Sequence, residues 1–170
     1  MLQNLYDSCL SSAMTYLKPD DEALISAQDY ASAATLALLV NARDEVLLIL
    51  RDDIPNILFP NYWNIAGGKH EDGETFEEGA RREAFEETGF LPSVLTPLCQ
   101  TINHGGYGGK RELIVIYAGL VDRELSELTL GEGQEMGFYM LDQCRTMRII
   151  PFEMDAIELY FQLKQQRAKH

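Results

Sequence analysis

GKHEDGETFEEGARREAFEETGF, residues 68–90, is the most informative segment of this 170-residue chain. Thr75, followed three residues later by Glu78, forms the sequence pattern of a capping box, which fixes the start of a helix. Gly89 supplies the left-handed backbone conformation with which helices commonly end. The segment therefore predicts a helix from Thr75 to Thr88.

Three carboxylates crowd one side of this predicted helix. Glu83, Glu86 and Glu87 stand at positions i, i+3 and i+4, and like charges at such spacings destabilise a helix by about 0.2–0.5 kcal/mol per pair. A divalent cation would relieve this repulsion, and hard oxygen ligands suit Mg²⁺ or Mn²⁺. Arg82 lies four residues from both Glu78 and Glu86, which predicts an ion-pair ladder. Taken alone, a solvated acidic helix face is the more common explanation of such a run.

The spacing of the whole segment is more specific than its charge. It resembles the signature of Nudix hydrolases: Gly, five residues, Glu, seven residues, then Arg-Glu-U-x-Glu-Glu-x-Gly-U, where U is bulky and apolar. Ala84, at the first apolar position, is a small residue and the one soft departure. The matching positions are Gly68, Glu74, Arg82, Glu83, Glu86, Glu87, Gly89 and Phe90.

The resemblance covers roughly residues 34–139 and implies an α/β fold. We expect a Nudix-type α/β/α sandwich with a mixed sheet, in which the signature forms a loop, a helix and a second loop. The implied chemistry is Mg²⁺-dependent attack of water on a diphosphate linkage, with the cation lowering the pKa of that water.

Metal ligands follow from the same resemblance. Glu83, Glu86 and Glu87 would bind Mg²⁺ or Mn²⁺, with the carbonyl oxygen of Gly67 as a further ligand. Arg82 would hold Glu83 in its ligating rotamer. Glu74 would brace the loop from outside the metal site.

A fourth carboxylate is predicted further along the chain. Glu132 opens a Glu-Gly-Gln triplet that resembles one in bacterial 8-oxo-dGTP pyrophosphatases, so we assign it to the site as metal ligand or as base. Glu135 competes for this role, and an acidic surface loop is the alternative explanation. The predicted catalytic group is thus Glu83, Glu86, Arg82 and Glu132, and the general base is left open between Glu86 and Glu132.

Substrate contacts are predicted from residues outside the helix. Arg51 and Lys69 are candidates for phosphate, with a surface ion pair as the alternative for each. Phe59 and Trp63 are candidates for stacking on a base, with a place in the core as the alternative. We expect a nucleoside di- or triphosphate derivative as substrate, and ADP-ribose or a nucleotide sugar remains open.

Two alternatives come from other function classes. A non-catalytic Nudix-like nucleotide-binding module would typically have lost a signature glutamate, and this chain retains all of them. Isopentenyl diphosphate isomerases share the fold but need a cysteine near the strand before the signature. None of Cys9, Cys99 and Cys144 lies there.

Charge and composition narrow the partners. The formal net charge of −13 leaves no basic surface to neutralise the phosphates of a long nucleic acid. The longest apolar run, around Ala31 to Val40, is far shorter than the about 20 residues that span a bilayer. Met1 to Leu17 lacks the features of a secretory signal, and the three cysteines form no Cys-x-x-Cys pair. We therefore expect a cytoplasmic protein with a small-molecule partner and no membrane insertion.

Apolar periodicity divides the chain into a helical extension, residues 1–30, and one Nudix hydrolase domain, residues 31–170. Met1 to Leu17 has the spacing of an amphipathic helix, which could support a homodimer. The remaining predicted elements are strands at Thr35 to Val40, Glu45 to Arg51, Leu98 to Asn103, Glu112 to Val121 and Phe138 to Leu141, and a helix from Pro151.

Overall fold

The computed structural model describes residues 14–16, 30–103 and 110–169. The strands are β1 (Met14–Tyr16), β2 (Ser32–Val40), β3 (Glu45–Leu50), β4 (Trp63–Asn64), β5 (Ala66–Lys69), β6 (Thr96–Asn103), β7 (Glu112–Leu120) and β8 (Glu135–Met140). The helices are α1 (Phe76–Thr88), α2 (Leu141–Cys144) and α3 (Pro151–Arg167).

These strands form one mixed sheet. Its order is β1-β6-β7-β2-β3-β4, with β5 added to β2 and β8 added to β3. Strand β2 runs parallel to β7 along its whole length, from Ser32 opposite Glu112 to Val40 opposite Leu120. The other pairings are antiparallel. The expected mixed sheet is confirmed.

Helices cover both faces of the sheet. Side chains alternate along a strand, so Leu36 and Leu38 of β2 join the core beneath α3, whereas Ala37 and Leu39 pack with Ala84 of α1. Strand β2 is accordingly buried on both faces, as strands between two helical layers are. The α/β/α sandwich predicted from the resemblance is confirmed.

Helix α1 begins and ends where the sequence predicts. The Thr75 hydroxyl accepts from the Glu78 N–H at 3.2 Å, and the Glu78 carboxylate accepts from the Thr75 N–H at 2.7 Å. Gly89 closes the helix with φ of 70°. Because Glu78 is used in this cap, the predicted ladder with Arg82 is wrong on that side.

The predicted helix over Met1 to Leu17 is wrong where it can be compared. Met14–Tyr16 forms strand β1, which pairs with β6 so that Tyr16 lies opposite Cys99. The rest of that predicted helix lies outside the described residues. Strand β8 begins at Glu135, earlier than expected, whereas α3 begins at Pro151 as predicted.

Within the described ranges, none of the helices is both long and apolar enough to cross a membrane.

Candidate active site

A cavity of about 360 Å³ opens where the C-terminal half of α1 and the loop that precedes the helix meet the sheet. Three signature or loop carboxylates border it, together with a pair of cationic side chains. The lining includes Arg51, Phe59, Asn64, Gly67, Gly68, Lys69, Glu83, Glu87, Glu112, Glu132, Phe152 and Glu153. Most of the residues predicted for the site therefore surround one space.

Arg82 is the structural centre of the signature. Its Nε and Nη2 atoms donate to the two carboxylate oxygens of Glu74 at 3.1 and 2.8 Å. Nη1 donates to Glu83 at 2.7 Å and to Glu86 at 3.3 Å, and Nη2 also donates to the Lys69 carbonyl at 3.0 Å. The guanidinium thus ties the loop before α1 to the carboxylates on it, and it lowers the pKa of Glu74 to about 2.

Glu83 reaches the cavity because residue 68 has no side chain. A Cβ atom at Gly68 would lie 2.7 Å from the Glu83 carboxylate, closer than real Cβ atoms approach. Burial raises the pKa of Glu83, and the hydrogen bond from Arg82 opposes that rise. Gly68 and Arg82 therefore fix the position of this carboxylate from two sides.

Glu87 is held from the other side of the same loop. The Gly67 N–H donates to Glu87 Oε2 at 3.1 Å. The pKa of Glu87 is raised to about 8, mainly by burial and also by the nearby charges of Glu83 and Glu132, while the Gly67 hydrogen bond and the charge of Arg51 oppose the rise. The carboxylates of Glu83 and Glu132 are therefore close enough to Glu87 to disfavour its charged form.

The loop that carries Glu132 is clamped between α1 and β3. The Gly131 N–H donates to the Glu87 carbonyl at 2.9 Å, at the C-terminal end of the helix. On the far side, the Gln134 N–H donates to Leu50 O at 2.8 Å, and its side-chain Nε2 donates to the Arg51 carbonyl at 2.6 Å. These hydrogen bonds, on either side of Glu132, hold its loop so that Glu132 lines the cavity.

Two predicted site residues lie elsewhere. The Glu86 side chain is 55% exposed, contacts Arg82, and is not part of the cavity lining. Trp63 packs edge-on against Tyr139, with ring centroids 5.0 Å apart, at the core beneath α3. Phe59, by contrast, borders the cavity and meets Phe152 edge-on at 6.4 Å.

Sequence reasoning missed two polar residues at the base of the cavity. Asn64 and Glu153 are 4% and 3% exposed and both border the cavity. The Ile65 N–H donates to Glu153 Oε2 at 2.6 Å, and burial raises the pKa of Glu153 to about 8. The available signal was a glutamate within the apolar face of α3, at the third position of that helix.

The donor set fits a hard divalent cation. Glu83, Glu87 and Glu132 offer carboxylate oxygens, and their mutual repulsion is the kind that such a cation relieves. In the part of the chain that the structure describes, no three His, Cys, Asp or Glu side chains stand close enough together to hold an ion as they are. The carboxylates therefore meet around the cavity rather than at a single point.

The site thus consists of a helix with defined caps that presents carboxylates to a cavity of an α/β/α fold with a mixed sheet. The chain belongs to the Nudix family, because the NUDIX domain model matches residues 30–159. It is accordingly an enzyme that acts on phosphoric anhydrides. Members of this family generally need divalent metal ions.

Individual relatives agree with this assignment. An uncharacterized Nudix hydrolase of Pseudomonas aeruginosa is 29% identical over 135 residues, which cover 74% of this chain and 75% of that protein. The NUDIX domain of Shewanella oneidensis NrtR, solved with ADP ribose, is 19% identical with a TM-score of 0.66, covering 82% of this chain and 93% of that one. The MutT protein of Methanosarcina mazei Go1 is 23% identical with a TM-score of 0.65, covering 82% and 99%. Both solved structures show similarity of fold.

Proposed function

We propose that this enzyme hydrolyses a diphosphate linkage in a nucleoside di- or triphosphate derivative and depends on Mg²⁺. The observation that carries the proposal is the arrangement of Glu83, Glu87 and Glu132 around one cavity that Arg51 and Lys69 also line. Carboxylates and cationic side chains that line the same cavity suit a substrate whose phosphates contact both a divalent ion and a basic side chain.

The metal would be held by Glu83 and Glu87, with Gly67 contributing its carbonyl oxygen. When bound, such an ion lowers the pKa of a water molecule and neutralises charge on phosphate oxygens. Arg82 is a positioning residue, since it touches Glu83 and the loop rather than the cavity. Its contact with Glu86 sets that carboxylate at the edge of the site.

Glu132 is the proposed general base. It borders the cavity, and hydrogen bonds on both sides of it hold its loop, so the backbone that carries its carboxylate is fixed beside the cavity. Glu86 is the competing candidate. Its exposed side chain contacts Arg82 and does not line the cavity, so it would have to rotate to reach the same space. Arg51 and Lys69 would anchor the phosphates, and Phe59 would contact the base.

A panel of phosphoric anhydrides tests this proposed reaction and identifies the substrate. A panel of nucleoside triphosphates, 8-oxo-dGTP, ADP-ribose and a nucleotide sugar would be incubated with excess Mg²⁺, and the phosphorus products identified. We expect cleavage of at least one nucleoside di- or triphosphate derivative. ADP-ribose is included because the Shewanella oneidensis domain was solved with that compound. No cleavage across the panel would contradict the proposal and favour a nucleotide-binding module.

The base is tested by comparing Glu132→Gln with Glu86→Gln on the best substrate. Loss of a general base typically costs 10²–10⁴-fold in rate, so we expect that loss for Glu132→Gln. Glu135, the competing residue in the sequence, is exposed at the start of β8 and does not line the cavity, so Glu135→Gln is the matched control and should keep wild-type turnover. A near wild-type rate for Glu132→Gln would overturn its assignment as base. A near wild-type rate for Glu86→Gln would remove Glu86 from the site.

A further inference from the structure

Glu112 is a carboxylate of the cavity that has no role in the proposed reaction. It is partly buried at the start of β7 and borders the same cavity as Glu83 and Lys69. The Ser32 hydroxyl donates to its Oε1 atom at 3.5 Å, and the Asn103 side chain also donates to it. A hydroxyl and an amide hold a carboxylate in place without neutralising its charge. Glu112 therefore brings a positioned negative charge to the cavity.

This carboxylate lies across strand β2 from the signature loop. Ala34 of β2 is opposite Lys69 of β5 on one side and opposite Ile114 of β7 on the other. Glu112 precedes Ile114 by two residues and so points to the same face of the sheet, where Asn103 is its direct partner on β6. All five residues border the cavity. The cavity therefore extends across β2, from the signature loop to Glu112.

The two sides of β2 offer different contacts to a ligand. Phe59 borders the cavity from the loop that precedes β4 and β5, and the proposed function places the base there. Asn103 and Glu112 border it from β6 and β7. A nucleotide with its base at Phe59 and its diphosphate beside Glu83 would extend its remaining group across β2. That group would meet Glu112.

The charge of Glu112 determines which kind of group fits this side. A terminal phosphate is repelled by a carboxylate whose hydrogen-bond partners are uncharged. A hydroxyl group can donate to the same carboxylate, and acidic side chains bind the hydroxyls of ribose in this way. The side of the cavity that Glu112 borders therefore favours an uncharged group with several hydroxyls.

We propose that Glu112, with Asn103 beside it, binds the hydroxyls of a sugar on the far side of the diphosphate and excludes a terminal phosphate from that position. The substrate class is then a nucleoside diphosphate joined to a sugar rather than a nucleoside triphosphate. This assignment rests on the proposed function, because it places the nucleoside and the diphosphate in the cavity. Glu112 acts on specificity and takes no part in the attack on phosphorus.

The test compares ligands that differ only beyond the diphosphate. ADP-ribose is paired with ATP, UDP-glucose with UTP, and GDP-mannose with GTP, so the nucleoside is the same within each pair. Affinities are measured by calorimetric titration of the wild-type protein, with Ca²⁺ in place of Mg²⁺ to limit hydrolysis. A hydrogen bond to a charged group contributes roughly 10- to 150-fold in affinity, so in at least one pair the sugar-bearing ligand should bind more tightly by that factor. Equal affinities within every pair, tighter binding of every triphosphate, or no binding at all would overturn the proposal.

Two variants assign the preference to Glu112. Glu112→Gln keeps an oxygen for the Ser32 hydroxyl but removes the charge, so the sugar-bearing ligand should weaken and the triphosphate should strengthen. The ratio of their affinities should fall by about tenfold or more. Glu71→Gln is the matched control, because Glu71 is an exposed acid two residues after Lys69 that does not border the cavity, and it should keep the wild-type ratio.

An unchanged ratio in Glu112→Gln would contradict the assignment, including the case in which both ligands weaken equally because Glu112 contacts the ribose that they share. An equal fall of the ratio in Glu71→Gln would also contradict it, because the effect would then come from net charge. The comparison of ligands uses the wild-type protein, so the test stands even if Glu112→Gln fails to fold.

The Mg²⁺ substrate panel separates this proposal from the one on which it rests. Hydrolysis of nucleoside triphosphates in preference to sugar-bearing diphosphates means that the function holds and the role of Glu112 is wrong. Preferential binding of sugar-bearing diphosphates without any hydrolysis means that the role of Glu112 is right and the proposed reaction is wrong.

Discussion

Replacement of Arg82 by methionine removes the guanidinium but keeps much of the aliphatic stem. In the wild-type protein this group makes two hydrogen bonds to Glu74 and one to Glu83. It is the main reason that the pKa of Glu74 falls from an ordinary value of about 4.5 to about 2. At about 1.36 kcal/mol for each tenfold change in proton affinity, that lowering corresponds to roughly 3 kcal/mol.

Because both side chains are partly exposed, solvent weakens their interaction, and the loss of stability is smaller than this free energy. The Glu74 side chain is 15% exposed and that of Arg82 25%, so we expect Arg82→Met to lower the free energy of unfolding by about 2 kcal/mol at pH 7. The pKa of Glu74 is depressed in the folded state, so its contribution is complete above about pH 4.5. It is lost as the pH falls towards 2. The difference between wild type and variant should therefore shrink over that interval.

Urea denaturation at pH 7, 5, 4 and 3 measures this difference directly. Arg43→Met is the matched control, because Arg43 also pairs with two glutamates but is 55% exposed, and surface pairs contribute little. Its effect on stability should be much smaller. A loss for Arg82→Met that does not change between pH 7 and pH 3, or that equals the loss for Arg43→Met, would refute the reasoning.

Two further predictions concern the loop and the base of the cavity. Gly68→Ala should displace the Glu83 carboxylate and lower turnover at least tenfold. Gly73→Ala is the control, because a Cβ atom there meets nothing within 4 Å, and it should cost only stability. Steady-state kinetics and denaturation curves measure both effects, and equal turnover of the two variants would contradict the close approach at Gly68. Burial raises the pKa of Glu153 to about 8, so wild-type stability should fall as pH rises from about 4.5 to 8, by up to about 1.4 kcal/mol per pH unit. Glu153→Gln should abolish that part of the slope in urea denaturation, and an unchanged slope would contradict the raised pKa.

Features set by local chemistry were predictable from the sequence. The start of α1 depends on Thr75 and Glu78, three residues apart, and its end depends on Gly89. Resemblance to a family supplied the mixed sheet and the expectation that Glu132 lies near the signature glutamates, and Glu132 does line the same cavity as Glu83 and Glu87. Both predictions depend on short segments whose residue spacing can be read directly from the sequence.

Features set by long-range contact were not predictable in this way. Asn64 and Glu153 both hydrogen-bond to Ile65, although Glu153 lies 88 residues after Ile65 in the chain. Helical spacing placed Glu86 beside Glu87, but only the packing of the cavity separates an exposed carboxylate from a buried one. Strand β1, of three residues, owes its conformation to its pairing with β6.

The position of Trp63 could not be predicted, because the sequence does not show which face of a strand borders the cavity. Successive side chains of a strand point to opposite sides, so Trp63 packs with Tyr139 in the core while its neighbour Asn64 borders the cavity. The sequence favoured the larger aromatic residue as the ligand contact. Asn64, the polar residue beside it, is the one that lines the cavity.

The central claim is that the carboxylates around the cavity bind a divalent cation. A titration with Mn²⁺, followed by the electron paramagnetic resonance signal of the free ion, tests it without a substrate. The account predicts binding by the wild-type protein, at least tenfold weaker binding by Glu87→Gln, and wild-type affinity for Asp122→Asn, an exposed acid 76% accessible and outside the cavity. Equal Mn²⁺ affinity in the wild-type and Glu87→Gln proteins would contradict it.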